Sequence, residues 1–228
     1  MKVKLISYSQ HAFDPALQDE VEQNVMNMQE LVAYCARVSN PSNQNNKETS
    51  EKLIKYLIKH QHWSPLEMVS ACLEIETTRD IARQILRHRS FSFQEFSQRY
   101  ADPVKELEFE YREARLQDDK NRQNSIDTDD RELKRFWLEK QQHIIREAKA
   151  AYTWAIVNGI AKEQARAVLP EGLTVSRIYM NGTLRSYIHY IQLRSDNGTQ
   201  KEHREIALAC CKVIADVFPL AKDLIGNK

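Results

Sequence analysis

Between positions 79 and 99 the chain carries five arginines, Arg79, Arg83, Arg87, Arg89 and Arg99, against two acids, Asp80 and Glu95. A guanidinium is a rigid five-donor fork that fits phosphate, and Ser90, Ser92 and Ser97 add neutral hydroxyl donors. Phe91, Phe93, Phe96 and Tyr100 interleave with these groups, a pattern that suits a partly desolvated cleft with aromatic walls around a heterocycle. Two other readings stand beside it. The same residues could form a solvated basic helix face with surface ion pairs, or a nucleic-acid surface on which arginines take phosphates and aromatics stack bases.

The chain has 228 residues and five glycines, Gly159, Gly172, Gly182, Gly198 and Gly226, with none before 159. A glycine-rich loop cradling phosphate on backbone amides is therefore excluded before that point, and any phosphate there must be held by side chains. Cys35, Cys72, Cys210 and Cys211 show no C-x-x-C spacing, which points to buried reduced thiols rather than a zinc or dithiol site. His60, His62 and His88 match no metal-site spacing, so no metal is expected. Ser97 has no base at a recognisable spacing and reads as a phosphate donor rather than a nucleophile. Arg166 is a further phosphate candidate, with a helical pair to Glu163 as the alternative.

The 33 basic and 32 acidic residues give a net charge of +1, which argues against a surface devoted to nucleic acid or an anionic membrane. The positive charge is instead concentrated locally. With no run of 18 apolar residues and no signal-like segment over Met1 to Ser9, the chain is expected to be soluble and cytoplasmic.

The elements that must position these groups follow from periodicity. Lys2 to Tyr8 and Val69 to Thr77 alternate as strands, the second with one buried face. Helical spacing covers Glu30 to Ser39 and Thr49 to His60, with a loop at Asn40 to Asn46 and a break at His62-Trp63-Ser64-Pro65. Thr77-Thr78-Arg79-Asp80 fits a capping box opening a helix to about Arg87, with Arg79, Arg83 and Arg87 as a stripe. Residues 102 to 130 are highly charged and read as a solvated, mobile excursion. A long helix follows from about Arg131 to Asn158, with Leu133, Phe136, Trp137, Ile144, Ala148, Ala151, Tyr152 and Ala155 as its apolar stripe and Gly159 at its C-cap.

Ile160 to Leu169 reads as a short helix stopped by Pro170. Leu173 to Met180 reads as a strand ending in an Asn181-Gly182 turn, and helices span Leu184 to Arg194 and Glu202 to Phe218. The expected fold is one α+β domain over residues 1–228, with a mainly antiparallel sheet flanked by long helices.

Arg87-His88-Arg89, then Ser92, Glu95, Ser97 and Arg99-Tyr100, resemble the signature of the flavin-dependent thymidylate synthases, R-H-R followed at fixed spacing by S, E, S and R-Y. His62-Trp63-Ser64-Pro65-Leu66-Glu67 is similar to the family's H-x-S/T-P-F/L-E segment, and Ala82-Arg83-Gln84 to the A-R-Q before R-H-R. Glu163-Gln164-Ala165-Arg166 with Leu169-Pro170 resembles E-x-A-R-x-x-L-P. Asn181 to Arg194, with Leu184-Arg185-Ser186 and His189, resembles the last block. The sequence departs from the common pattern at Met68, Gln94 and Thr183, where histidine, asparagine and asparagine are usual.

The resemblance implies a thymidylate synthase-complementing-like fold and reductive methylation of dUMP to dTMP. The carbon comes from methylenetetrahydrofolate and the reducing equivalents from NADPH through bound FAD, in a homotetramer with shared active sites and no nucleic-acid or membrane partner. It also assigns roles by position. Ser64, Arg87, His88, Arg89, Glu95, Thr183, Leu184, Arg185 and His189 match flavin contacts, and His62 lies near flavin or folate. Gln84, Ile85, Leu86, Arg87, Glu95, Phe96, Ser97, Gln98, Arg99, Arg166 and Arg194 match dUMP contacts, with Arg194 the catalytic residue that ionises the uracil imide. The four cysteines fall outside every matched block, so the chemistry runs without a thiol nucleophile. A non-enzymatic nucleotide or single-stranded nucleic-acid binding module is the alternative.

Overall fold

In the computed structural model, residues 1–12 and 26–224 are described. The alternating segments become strands: β1 (Lys2–Tyr8), β2 (Ser70–Thr78), β3 (Ser92–Glu95) and, after a small hairpin of β4 (Arg115–Gln117) and β5 (Ser125–Asp127), β6 (Val175–Thr183). The helices are α1 (Met28–Ala36), α2 (Ser50–Lys59), α3 (Arg79–Ile85), α4 (Pro103–Glu106), α5 (Arg131–Val157), α6 (Lys162–Ala165), α7 (Leu184–Arg194) and α8 (Lys201–Ala215).

The main sheet has the order β1-β2-β6-β3 and is antiparallel throughout, as the α+β reading expects. Period-2 alternation gives it two unlike faces. On one, Leu73 and Ile75 pair with Met180 and Ile178, and all four are fully buried in a core shared with Tyr187, Ile191, Ile206 and Ile214 of α7 and α8. On the other, Lys4 pairs with Glu74 at 2.8 Å and Lys2 with Glu76 at 3.7 Å, and Arg177 completes the second row from β6.

Four expectations change. Asn181-Gly182 is not a turn: β6 runs through it, with Asn181 opposite Cys72 and Ser92 and Gly182 opposite Ala71. The glycine serves close packing there, because a Cβ at 182 would lie 2.4 Å from the Phe91 ring. Gly159, with φ of 78°, does terminate α5 as expected.

The capping box at Thr77 to Asp80 does not form. The Thr78 hydroxyl donates to Asp80 Oδ1 at 2.5 Å and accepts from Arg112, leaving α3 without a side-chain cap. The same arginine ties down part of residues 102–130, expected to be a solvated, mobile excursion. Arg112 reaches Asp80 (2.8 Å), the Gly172 carbonyl (3.2 Å) and Glu202 (3.4 Å), and Arg115 pairs with Glu202, so the stem of the hairpin is clamped to the body. Most polar side chains of the segment, among them Glu113, Gln117, Asp119 to Gln123, Asp127, Asp129 and Asp130, are exposed.

The stripe on α5 divides. Ala148, Tyr152 and Ala155 are buried as expected, whereas Leu133, Phe136, Trp137 and Ile144 are 39 to 46% exposed. The first ten residues of this 27-residue helix are all exposed, so its N-terminal half extends beyond the body that its C-terminal half packs on. Cys210 and Cys211 are buried and Cys35 and Cys72 only partly so, all four unpaired.

Replacing Gly182 by alanine forces the Phe91 ring to move within the core, a loss of about 1–3 kcal/mol. Urea unfolding read by circular dichroism checks this, and an unchanged midpoint refutes the close-packing role.

Candidate active site

The β3–β6 ladder sets Ser92 beside Asn181 and thereby brings the Arg87-His88-Arg89 turn against the start of α7. Two side-chain bonds hold that placement. Ser186 Oγ donates to the Ser90 carbonyl at 3.1 Å, and two turns further along α7, Arg194 Nε donates to His88 Nε2 at 2.9 Å. Arginine only donates, so His88 accepts at Nε2 and carries its proton on Nδ1. Burial, then Arg194 and Arg87, push the His88 pKa down to about 4, which keeps the ring neutral and able to accept. With Nε occupied, both terminal nitrogens of Arg194 remain to meet a ligand.

Around this pair the dUMP candidates fall into distinct environments. Gln84 is half-buried, bonded to Gln200 (2.8 Å) and His203 (3.1 Å). Gln98 is buried with Nε2 unpartnered, a donor directed at no protein acceptor. Glu95 is tied inward, accepting from Ser176 at 2.9 Å and facing buried Arg79 at 3.5 Å. Ile85 is fully buried and its carbonyl accepts from the His88 amide at 3.0 Å; Leu86 and Phe96 are half-buried.

Ser97 and Arg99 are exposed, and Arg99 pairs with Glu163 at 3.3 Å while Lys162 Nζ donates to the Tyr100 carbonyl at 2.7 Å. These contacts bring the 97–100 segment to α6, one turn from Arg166. The helical alternative for Arg166 fails: Glu163 is taken by Arg99, and Arg166 has no ion pair or side-chain hydrogen bond among the described residues. The aromatic walls are only partly realised, because Phe91 packs on Tyr187 and Tyr190 in the core and Tyr100 is 87% exposed.

The flavin candidates form a second group. Arg87 and Arg89 are exposed, again with no ion pair or side-chain hydrogen bond among the described residues. Ser64 opens a one-turn 3-10 helix at Ser64–Glu67, behind Trp63, whose ring meets the exposed His189 edge-on at 4.5 Å. Arg185 Nη1 donates to Glu67 Oε1 at 2.6 Å, joining that turn to α7. Thr183 Oγ1 caps α7 by accepting from the Ser186 amide at 3.3 Å, so threonine supplies a hydroxyl N-cap in place of the asparagine usual there. Leu184 is fully buried and its amide donates to the Val69 carbonyl, which leaves it no free side-chain role. Two unpaired guanidiniums, a hydroxyl at a helical turn and an exposed aromatic edge make a donor set that fits a flat heterocycle bearing a diphosphate, such as FAD.

His62, next to Trp63 in the chain, is exposed and in ring contact with Tyr56 (6.1 Å) and His60 (6.2 Å) past the end of α2. No group of three potential metal ligands occurs among the described residues. Sequence reasoning missed Gln200, Glu202, His203, Arg112 and Arg115, which reach the site from behind; the run Gln200-x-Glu202-His203 at a helix start was the available signal.

The family model described as thymidylate synthase complementing protein matches residues 20–220. The chain is 47% identical over 225 residues to a probable flavin-dependent thymidylate synthase of Paramecium bursaria Chlorella virus 1, covering 98% of this chain and 99% of that one. It is 52% identical over 189 residues to the flavin-dependent thymidylate synthase of Synechocystis sp., covering 83% and 85%, and 34% identical over 190 residues to one of Thermus thermophilus, covering 83% and 68%.

His88 and His203, whose pKa falls to about 3, are both held below the ordinary 6.5 by burial first and by Arg194 next. The unfolded chain therefore binds more protons below pH 6.5, so stability is full above that value and falls as pH drops toward 4 and then 3. Urea midpoints measured from about pH 7.5 to about 4.5 are expected to fall less steeply in a His88→Gln variant than in the wild type. Parallel slopes would show that His88 is not held neutral.

Proposed function

This chain belongs to the thymidylate synthase complementing protein family, and from that premise we propose how its residues serve the reaction. It is a flavin-dependent thymidylate synthase, an enzyme that converts dUMP to dTMP. That membership sets aside the reading of the arginine-aromatic cluster as a non-enzymatic binding module. FAD, which Arg87, Arg89, Ser64, Thr183, Arg185 and His189 would hold, would supply the redox chemistry of a reaction whose reductant is NADPH and whose carbon donor is methylenetetrahydrofolate, leaving tetrahydrofolate.

Arg194 is the catalytic residue. Its guanidinium, oriented through Nε by neutral His88, turns its terminal nitrogens to the uracil imide and stabilises the ring anion without itself losing a proton. Arg166, Arg99 and Ser97 hold the dUMP phosphate, which takes Arg99 from Glu163 on binding. Gln84 and the unpartnered Gln98 Nε2 face the nucleotide as neutral donors. Arg87, Arg89, Ser64, Thr183, Arg185 and His189 hold the flavin, with Trp63 behind His189. Neither Cys210, which is fully buried, nor Cys211, whose thiol burial pushes up to about 11, is suited to act as nucleophile. The single observation that carries the assignment is the Arg194–His88 bond, which ties the two matched motifs into one site.

The chain acts as one domain over 1–228, in the cytoplasm, and as a homotetramer with active sites shared between subunits. Supporting the tetramer, Leu133, Phe136, Trp137 and Ile144 expose an apolar face on the projecting half of α5, and the arginines of the site lie on an open face of a single chain. No helix among the described residues is long and apolar enough to cross a membrane.

Arg194→Ala is expected to abolish dTMP formation while the purified protein keeps its flavin absorbance; retained turnover would contradict the assignment. Arg99→Ala and Arg166→Ala should each weaken dUMP binding by about 1.5–3 kcal/mol, the range for a charged hydrogen bond. Calorimetry giving wild-type affinity for both would reject the phosphate role. Trp137→Glu should lower the sedimentation mass below that of a tetramer, and an unaltered mass would move the interface off α5.

A further inference from the structure

Behind Gln84 lies a hydrogen-bond chain whose direction is set at one end. Glu202 is 7% exposed and held by Arg115 and by Arg112 at 3.4 Å. Burial works against its ionisation, but these arginines and Gln200 outweigh it and leave its pKa below the usual value, so Glu202 is a carboxylate and only accepts. Gln200 must therefore present its Nε2 to Glu202 Oε2 (2.9 Å) and its Oε1 to Gln84. Gln84 must donate through Nε2 to Gln200, which leaves its Oε1 toward His203. His203 Nδ1, 3.1 Å from that oxygen, must then be the protonated ring nitrogen, and Nε2 the bare one.

His203 is fully buried and its Nε2 has no hydrogen-bond partner, so the ring is placed for its Nδ1 bond alone. It packs between Tyr190, at 5.8 Å, and His88, at 6.2 Å, directly behind the Arg194 pair.

We propose that His203 is a positioning residue that, with Gln200 and Glu202, fixes the amide of Gln84 so that it reads uracil and rejects cytosine. After its two internal bonds Gln84 retains one N–H and one oxygen lone pair, in an order it cannot reverse without breaking the chain. With the imide nitrogen facing Arg194, the remaining difference between the bases lies at ring position 4, an acceptor oxygen in uracil and a donor amino group in cytosine, so an amide whose free N–H is fixed toward that position accepts only uracil, whereas one free to rotate serves either base. The inference rests on Gln84 facing the pyrimidine.

The test measures the ratio of dUMP to dCMP affinity by calorimetry on the flavin-loaded enzyme. Gln84→Ala tests the underlying reading: its ratio falls if Gln84 meets the base and stays at the wild-type value if it does not. Given a fall there, His203→Leu, which keeps the volume but loses the donor, is expected to narrow the ratio roughly five- to tenfold, the worth of one neutral hydrogen bond. His203→Asn, which restores an N–H near the Nδ1 position, should recover it. A wild-type ratio in His203→Leu, or a narrowed one that asparagine leaves unrescued, overturns the positioning role. Nitrogen NMR of histidine-labelled wild-type protein gives an answer independent of how the variants fold. His203 should carry its proton on Nδ1 at neutral pH, and a proton on Nε2 would overturn the chain's direction.

Discussion

The site depends on a neutral imidazole, His88, holding the Arg194 guanidinium in place. An arginine near an anionic ligand is easily drawn to protein carboxylates instead, yet Arg194 is bonded through Nε to His88 and its terminal nitrogens form no ion pair among the described residues. This works because the ring is half-buried beside two cations, which disfavours its protonation; a charged imidazolium could not accept from Arg194. The cost of burying that ring is borne by the ladder of β3 on β6 and by the packing of Phe91 into the space over Gly182.

Charge is sorted by depth in the same region. Acids near the site are paired from inside or from the flank: Glu95 with Arg79, Glu202 with Arg112 and Arg115, Glu163 with Arg99. Arg87, Arg89 and Arg166 are left over on the accessible side. A chain of net charge +1 thus presents a positive face without any global excess, which supports the proposed use of guanidiniums in place of a glycine-rich backbone cradle.

Much of this is legible in the sequence. The dense arginines of 79–99 and their spacing mark the site, and alternation over 70–77 marks the central strand, because both signals are local. What is not legible depends on distant partners. Residues 102–130 read as mobile because the acids that clamp Arg112 and Arg115 lie at 80 and 202, and composition cannot register a pair so far apart. Asn181-Gly182 reads as a turn because the dipeptide favours one, whereas tertiary packing against Phe91 decides the outcome. The apolar stripe of α5 is right in periodicity but not in burial, since a repeating face does not say whether its cover comes from the same chain. His203 is marked only by the run Gln200-x-Glu202-His203, because a histidine on a helix is indistinguishable from a core residue until its neighbours are known.

A crystal structure of the protein with FAD and dUMP would show where Arg194 points. Arg194 is expected to be bonded through Nε to His88 and through its terminal nitrogens to the uracil imide, with the phosphate on Arg99 and Arg166. A complex in which Arg194 leaves His88 and turns away from the pyrimidine would contradict that placement.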